Sequence, residues 1–122
     1  MAKILLVEDD EQVRKLVSKR LKGAGHKVTA VKDAEAALKQ FGSKAPDVVV
    51  TDLVLPGRDG QALITDLLLQ APEARIIAIS GAADQNVQAL LQEASLRGAV
   101  RALSKPFTTD QLLEAVDAAL AG

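Results

Sequence analysis

The stretch VVVTDLVLPGRDG, residues 48–60, decides the fold. Val48, Val49 and Val50 run into Thr51 and Asp52, and a turn rich in breakers follows at Pro56, Gly57 and Gly60. A short β-branched, apolar run bounded by breakers reads as a strand buried on both faces, here over 47–51. Asp52 stands at its carboxyl end, the edge of an open α/β sheet where ligands bind.

Working outward, KILLV at Lys3 to Val7 predicts a first strand, followed at once by Glu8, Asp9 and Asp10. Val13, Leu16, Val17 and Leu21 then recur at helical spacing, and Gly23 and Gly25 end that helix. His26 to Val31 predicts a second strand of weaker polarity contrast. Asp33 has the place of an N-cap for a helix through Phe41, closed by Gly42. Gly60 opens a helix with Leu63, Ile64, Leu67 and Leu68 that stops before Pro72. Residues 75–79 predict a fourth strand, ending beside Ser80 and Gly81. A helix over 83–96 carries Val87, Leu90 and Leu91 on one side, and Gly98 breaks it. Residues 99–103 predict the last strand, and Lys105, Pro106 and Phe107 form its exit loop. TTDQ from Thr108 matches a capping box with Gln111 at N3, which starts a final helix through Leu112, Leu113 and Val116.

The order is βα five times over. Apolar strands alternating with helices predict a doubly wound α/β fold, a parallel sheet covered on both faces with right-handed crossovers. At 122 residues one domain spanning 1–122 is expected.

Composition excludes several functions. The formal charge of -1 gives no electrostatic reason for a nucleic-acid or anionic-membrane partner. Without cysteine there is no disulfide, thiolate nucleophile or thiolate metal site. Tyr and Trp are absent, so stacking on bases has little to rest on. MAKILLVEDD lacks the long apolar region and cleavage site of a signal peptide. No apolar run reaches membrane-span length, so a cytoplasmic location is expected.

The polar groups gather where strands end. Glu8 and Asp9 follow the first strand, Asp52 ends the third, Ser80 the fourth and Lys105 the fifth. In a parallel sheet these ends share one edge. Three carboxylates there repel one another unless a cation joins them, and an all-oxygen set suits Mg²⁺ rather than zinc. A metal, an ammonium and a hydroxyl around one carboxylate would stabilise three phosphoryl oxygens on it. The chemistry read from the residues is an acyl phosphate on Asp52. Asp10 reads as a helix N-cap rather than a ligand. Ser80, next to Gly81, also has the place of a cap for the following helix. His26 stands far from this edge as ordinary surface, and Arg58 and Asp59 read as solvating their loop.

Taken together, KILLVEDD, TDLVLPGRDG, IIAISG and KPFT resemble the receiver domains of two-component response regulators, over the whole chain. The resemblance implies a flavodoxin-like three-layer sandwich with strand order 2-1-3-4-5. It maps the metal-binding acidic pair to Glu8 and Asp9, the phosphoacceptor to Asp52, the switch hydroxyl to Ser80 and the phosphate-binding lysine to Lys105. Val54 would offer its backbone carbonyl to the metal, and the Lys105–Pro106 bond is usually cis in such domains. The implied donor is a histidine kinase or a histidine phosphotransfer protein. The downstream partner, reached through the fourth helix and fifth strand, is a protein, with no direct contact to nucleic acid or membrane.

The chain departs from the family at two places. Ala102 replaces the usual aromatic of the fifth strand, so there is no ring to swing as the hydroxyl closes. Lys105 follows Ser80 by 25 residues, about three more than usual and nearly one helical turn, which a longer fourth helix could absorb. Val54 and Ala82 occupy the positions that steer the attacking water in the family, and neither can activate water, so slow self-dephosphorylation is expected. Three other functions compete with the signalling switch. An interaction module that has lost phosphorylation conflicts with the complete set of five site residues. A haloacid-dehalogenase-type phosphatase needs a second carboxylate where Val54 stands. A flavodoxin-like redox carrier needs a flavin-binding loop. Beyond its own Mg²⁺-dependent phosphorylation and dephosphorylation, no turnover enzyme is expected.

Overall fold

The computed structural model describes residues 2–43, 45–55, 58–81 and 87–121, with the backbone alone at Arg58 and Val87. The elements run β1 (Lys3–Val7), α1 (Glu11–Gly23), β2 (Lys27–Val31), α2 (Ala34–Ser43), β3 (Val48–Asp52), β4 (Val54–Leu55), β5 (Arg58–Asp59), α3 (Gly60–Gln70), β6 (Ile76–Ser80), α4 (Val87–Arg97), β7 (Arg101–Ser104) and α5 (Thr109–Ala121). β4 and β5 form a two-residue antiparallel ribbon. The other five strands make one parallel sheet in the order β2-β1-β3-β6-β7. That is the expected 2-1-3-4-5 order, with the ribbon interposed.

Alternation along the strands splits the core in two. Leu5, Val7, Val49, Ile76 and Ala78 face α2, α3 and α4, against Phe41, Leu63, Ile64, Leu67 and Leu91. Ile4, Leu6, Val50, Ile77 and Ile79 face α1 and α5, against Val17, Leu21, Leu112 and Val116. This is the period-2 rule acting inside a three-layer sandwich. β3 and β6 are buried at every position, whereas β2 and β7 are edges with much exposed surface. Edge exposure explains the weak polarity contrast read in the second strand.

Several boundaries differ from expectation, and local chemistry accounts for them. α1 and α4 both end in a Schellman motif. Gly25 (φ 94°) donates to the Lys22 carbonyl, and His26 N–H to that of Leu21. Gly98 (φ 122°) donates to Ser95, and Ala99 to Ala94. The residues after each glycine finish a helix cap, so His26 and Ala99 do not begin strands. Gly42 lies inside α2 rather than closing it. The expected Asp33 cap holds at 2.8 Å to the Ala36 N–H. The Thr108–Gln111 capping box is reciprocal, at 2.8 and 3.0 Å. The expected turn at Pro56 and Gly57 lies outside the described residues. So does the start of the fourth helix before Val87, and with it the site of the expected lengthening. Among the described residues no helix is long and apolar enough to cross a membrane.

Gly60 is required for space. A Cβ there would strike the Leu53 backbone, 2.6 Å from its carbonyl oxygen and closer still to its Cα. Gly42, by contrast, has nothing within 4 Å of a Cβ. Gly60→Ala should therefore destabilise the protein by about 1–3 kcal/mol, while Gly42→Ala stabilises it by about 0.5–1 kcal/mol through helix propensity. Urea unfolding followed by far-ultraviolet circular dichroism checks both, the chain having no tryptophan.

Candidate functional site

Register places the site. Val7 pairs with Thr51, so Glu8 comes level with Asp52. Asp52 pairs with Ile79, and Ser80 with Ser104, which sets Ser80 and Lys105 beside them. Residues nearly one hundred positions apart thus meet at one sheet edge. Lys105 Nζ donates to Glu8 Oε1 at 2.7 Å and to Asp52 Oδ2 at 2.8 Å. Carboxylate oxygens of Glu8, Asp9 and Asp52 lie within 4.8 Å of one another. Glu8 and Asp52 are only 3% and 6% exposed, whereas Asp9 faces solvent.

The remaining oxygens are held by backbone. Asp52 Oδ1 accepts from the Val54 N–H at 2.9 Å, and Glu8 Oε2 from the Asp10 N–H at 3.2 Å. Arg14 Nη1 donates to the carbonyls of Glu8 and Asp9 at 3.0 and 3.3 Å, bracing the loop that carries both acids. Asp10 caps α1 through the N–H groups of Gln12 and Val13, as expected. The Lys105–Pro106 peptide is cis.

One ammonium cannot neutralise this many carboxylates. Burial raises Glu8 from 4.5 to about 7, the Lys105 hydrogen bond opposes the rise, and the Asp52 charge adds to it. For Lys105 burial acts downward, but its bonds to Asp52 and Glu8 outweigh it and hold the ammonium above its ordinary value. The donor set fits a hard cation: it is all oxygen, it converges, and it includes a buried carboxylate that is costly to ionise.

Ser80 is fully buried at the end of β6, and its Oγ has no hydrogen-bond partner among the described residues. Its carbonyl accepts from the Lys105 N–H at 2.8 Å. It lies within the strand, and the helix start that it was read as capping lies outside the described residues. Asp59 does not simply solvate its loop: its side chain accepts from the Gln61 N–H at 2.9 Å and caps α3. The signal was present, an N-cap residue just before an apolar-periodic helix. Of Arg58 only the backbone is described. His26 lies at the far end of the sheet, where Nδ1 accepts from the Ala2 N–H at 3.1 Å. It is a half-buried tether for the first strand rather than plain surface. Val54 is exposed at the mouth of the site, and Ala82 lies outside the described residues. Arg14 and the Val54 N–H were missed, the first because a brace to backbone carbonyls leaves no sequence signal, the second because every residue has one.

Comparison with known proteins gives a consistent result. The response regulator receiver domain model matches residues 4–117. The chain is 38% identical over 117 residues to the response regulator protein FleR of Pseudomonas aeruginosa, covering 94% of this chain and 24% of FleR. It is 28% identical to the chemotaxis protein CheY of Listeria monocytogenes over 98% of each chain. The solved receiver domain of NtrX from Brucella abortus superposes with a TM-score of 0.90 at 35% identity, covering 97% of this chain and 98% of that one. The chain spans about a quarter of the length of relatives such as FleR and the NtrC regulators.

A carboxyl whose folded-state value lies above its unfolded value stabilises the fold below the unfolded value and loses that contribution as pH rises through the folded one. For Glu8 the window runs from 4.5 to about 7. In chelator, the urea midpoint of the native chain should fall between pH 5 and pH 8 by more than that of Glu8→Gln, and added Mg²⁺ should recover part of the loss at pH 8. Equal pH slopes for the two proteins would contradict the assignment.

Proposed function

This chain belongs to the response regulator receiver domain family, and on that premise we propose that it is a phospho-accepting switch whose acceptor is Asp52. The observation that carries the reading is the environment of that carboxylate. It is buried at a strand end, 2.8 Å from the Lys105 ammonium and next to two further carboxylates. The donor would be a phosphohistidine of a histidine kinase or a phosphotransfer protein. An Asp52 oxygen attacks phosphorus, the bond from phosphorus to the donor nitrogen breaks, and the nitrogen keeps the electron pair.

Each residue has a part in that step. Lys105 gives up one carboxylate and bonds a phosphoryl oxygen as negative charge arrives. Ser80, whose hydroxyl is unpaired in the described structure, is the natural donor to a second oxygen. The Val54 N–H keeps Asp52 oriented. Glu8, Asp9 and Asp52, with the Val54 carbonyl, would hold Mg²⁺, which when bound supplies positive charge to the transferring oxygens. Pro106 sets the loop from which Lys105 extends. The setting is cytoplasmic, and the signal leaves by protein contact through α4 and β7.

Incubation with acetyl phosphate and Mg²⁺ should add one phosphoryl group to the intact mass. The addition should be absent in Asp52→Ala and with chelator, and slowed at least tenfold in Lys105→Ala. Unmodified mass under all these conditions, with Mg²⁺ binding intact, would favour the interaction module. The exposed, apolar Val54 side chain brings no base or hydrogen-bonding group to a water at the mouth of the site. Half of the label should therefore persist for minutes or longer at neutral pH, an order-of-magnitude expectation for an unassisted acyl phosphate. Loss within seconds, followed by mass, would refute this.

A further inference from the structure

One face of α3 is devoted to α4. Gln61, Thr65 and Leu68 stand at i, i+4 and i+7, on a single stripe. Gln61 Nε2 donates to the Leu90 carbonyl at 2.8 Å. Arg97 Nη1 donates to Thr65 Oγ1 at 2.9 Å, while its Nε is held by Glu93 at 3.0 Å. Leu68 Cδ1 fills the space beside Gly98, 2.6 Å from where a Cβ would stand. The polar contacts to Leu90 and Arg97 are seven residues apart, so the described helix is tied at two levels two turns apart.

Gln61 is the unusual member. It is 2% exposed, and its Oε1 is buried with no hydrogen-bond partner among the described residues. Its backbone N–H is bonded to the Asp59 cap. Its neighbour Gly60 lies against Leu53, the residue after Asp52, and donates to the Leu53 carbonyl at 3.1 Å. The side chain that grips α4 is therefore linked to the backbone that carries the acceptor by its peptide bond to Gly60 and the Gly60–Leu53 hydrogen bond.

We propose that Gln61 is a positioning residue that latches α4 to the first turn of α3, so that rearrangement at Asp52 reaches α4 through this amide. An apolar residue would fill the same space without fixing a register. A hydrogen bond to one carbonyl does fix it, because slipping α4 by a turn moves the acceptor 5.4 Å. The half-satisfied amide also has a second arrangement open to it, since any shift that brings a donor to Oε1 is favoured. Ala102 gives β7 no ring with which to transmit the change, and the α3–α4 seam adds side-chain hydrogen bonds to the apolar packing of α4 on the sheet.

The proposal rests on the phospho-accepting reading, and the test separates the two. Amide hydrogen exchange is read segment by segment on the whole chain, untreated and after acetyl phosphate with Mg²⁺. In untreated Gln61→Leu and Gln61→Met, neither of which can donate to the Leu90 carbonyl, exchange across 87–97 should rise at least tenfold, with α1 and α5 within twofold of the native chain. Both variants should still take up one phosphoryl group, yet the change in α4 exchange on phosphorylation should fall by more than half. Space filling alone would leave that change intact, and an intact change overturns the proposal. If the Gln61 variants do not fold, Thr65→Val should raise α4 exchange at least threefold and blunt the same response, and native behaviour there overturns it. If the native chain takes up no phosphoryl group, the phospho-accepting reading fails. The untreated comparison then decides the latch: a tenfold rise supports it and unchanged exchange overturns it.

Discussion

The ammonium of Lys105, shared between Glu8 and Asp52 at 2.7 and 2.8 Å, is the contact on which the site's organisation depends. Two carboxylates whose oxygens lie 4.8 Å apart or less repel by about 3 kcal/mol or more at an effective dielectric near 20, and Asp9 adds a third charge. One cation offsets only part of this, and burial removes the water that would offset the rest. The outcome is visible in Glu8, driven to about 7 despite its bond to lysine. A site in this condition gains from a second cation, and an anion arriving on Asp52 gives Lys105 a new partner.

Holding such a cluster together is the work of the sheet. Each fully buried leucine or isoleucine contributes about 1.5–3 kcal/mol, so a few side chains from β3, β6 and α3 outweigh the repulsion. Ile64, Leu67, Ile76 and Ile77 are all fully buried. The parallel register then does what no local interaction could, aligning the ends of β1, β3, β6 and β7 along one edge. Loops there are pinned by hydrogen bonds as well as by the burial of Leu53 and Leu55. Arg14 braces the first, the Val54 N–H turns the second back on Asp52, and the Asp59 cap with the Leu53–Gly60 contact fixes where α3 begins.

Strand interiors and the residues at strand ends were legible in the sequence because both depend on short-range patterns. VVVTD announces a doubly buried strand, and acids, a serine and a lysine at successive strand ends announce a shared edge. The helix caps at Asp10, Asp33 and Thr108 were legible for the same reason. Boundaries slipped where a backbone motif intervened. After Gly25 and Gly98 the chain finishes a Schellman cap before it can enter a strand, so His26 and Ala99 read as strand and are not. Contacts set by tertiary geometry alone left no trace. Nothing in the spacing of Arg14 says that it reaches the carbonyls of Glu8 and Asp9. Gln61, in the polar-looking GQA of a helix start, gave no sign that it would be buried.

That burial bears on how a change at Asp52 could travel. A packed core resists continuous deformation, so a local change is transmitted by elements that have two discrete arrangements. Ala102, half-buried on β7 and packed against the core facing α4, has no rotamer with which to report a new state. β7 is joined to the site through the Ser80 carbonyl and Lys105 N–H, a backbone ladder contact with little freedom. The seam between α3 and α4 differs. It contains a buried amide with one half engaged and one half not, an arginine on an exposed pair, and a glycine that lets a leucine approach closely. The first two are polar, directional contacts that fix the register of α4 against α3. With Ala102 in place of an aromatic on the last strand, and acids, a hydroxyl and a lysine at the strand ends, the proposed phosphorylation of Asp52 would reach α4 through the directional contacts of this seam.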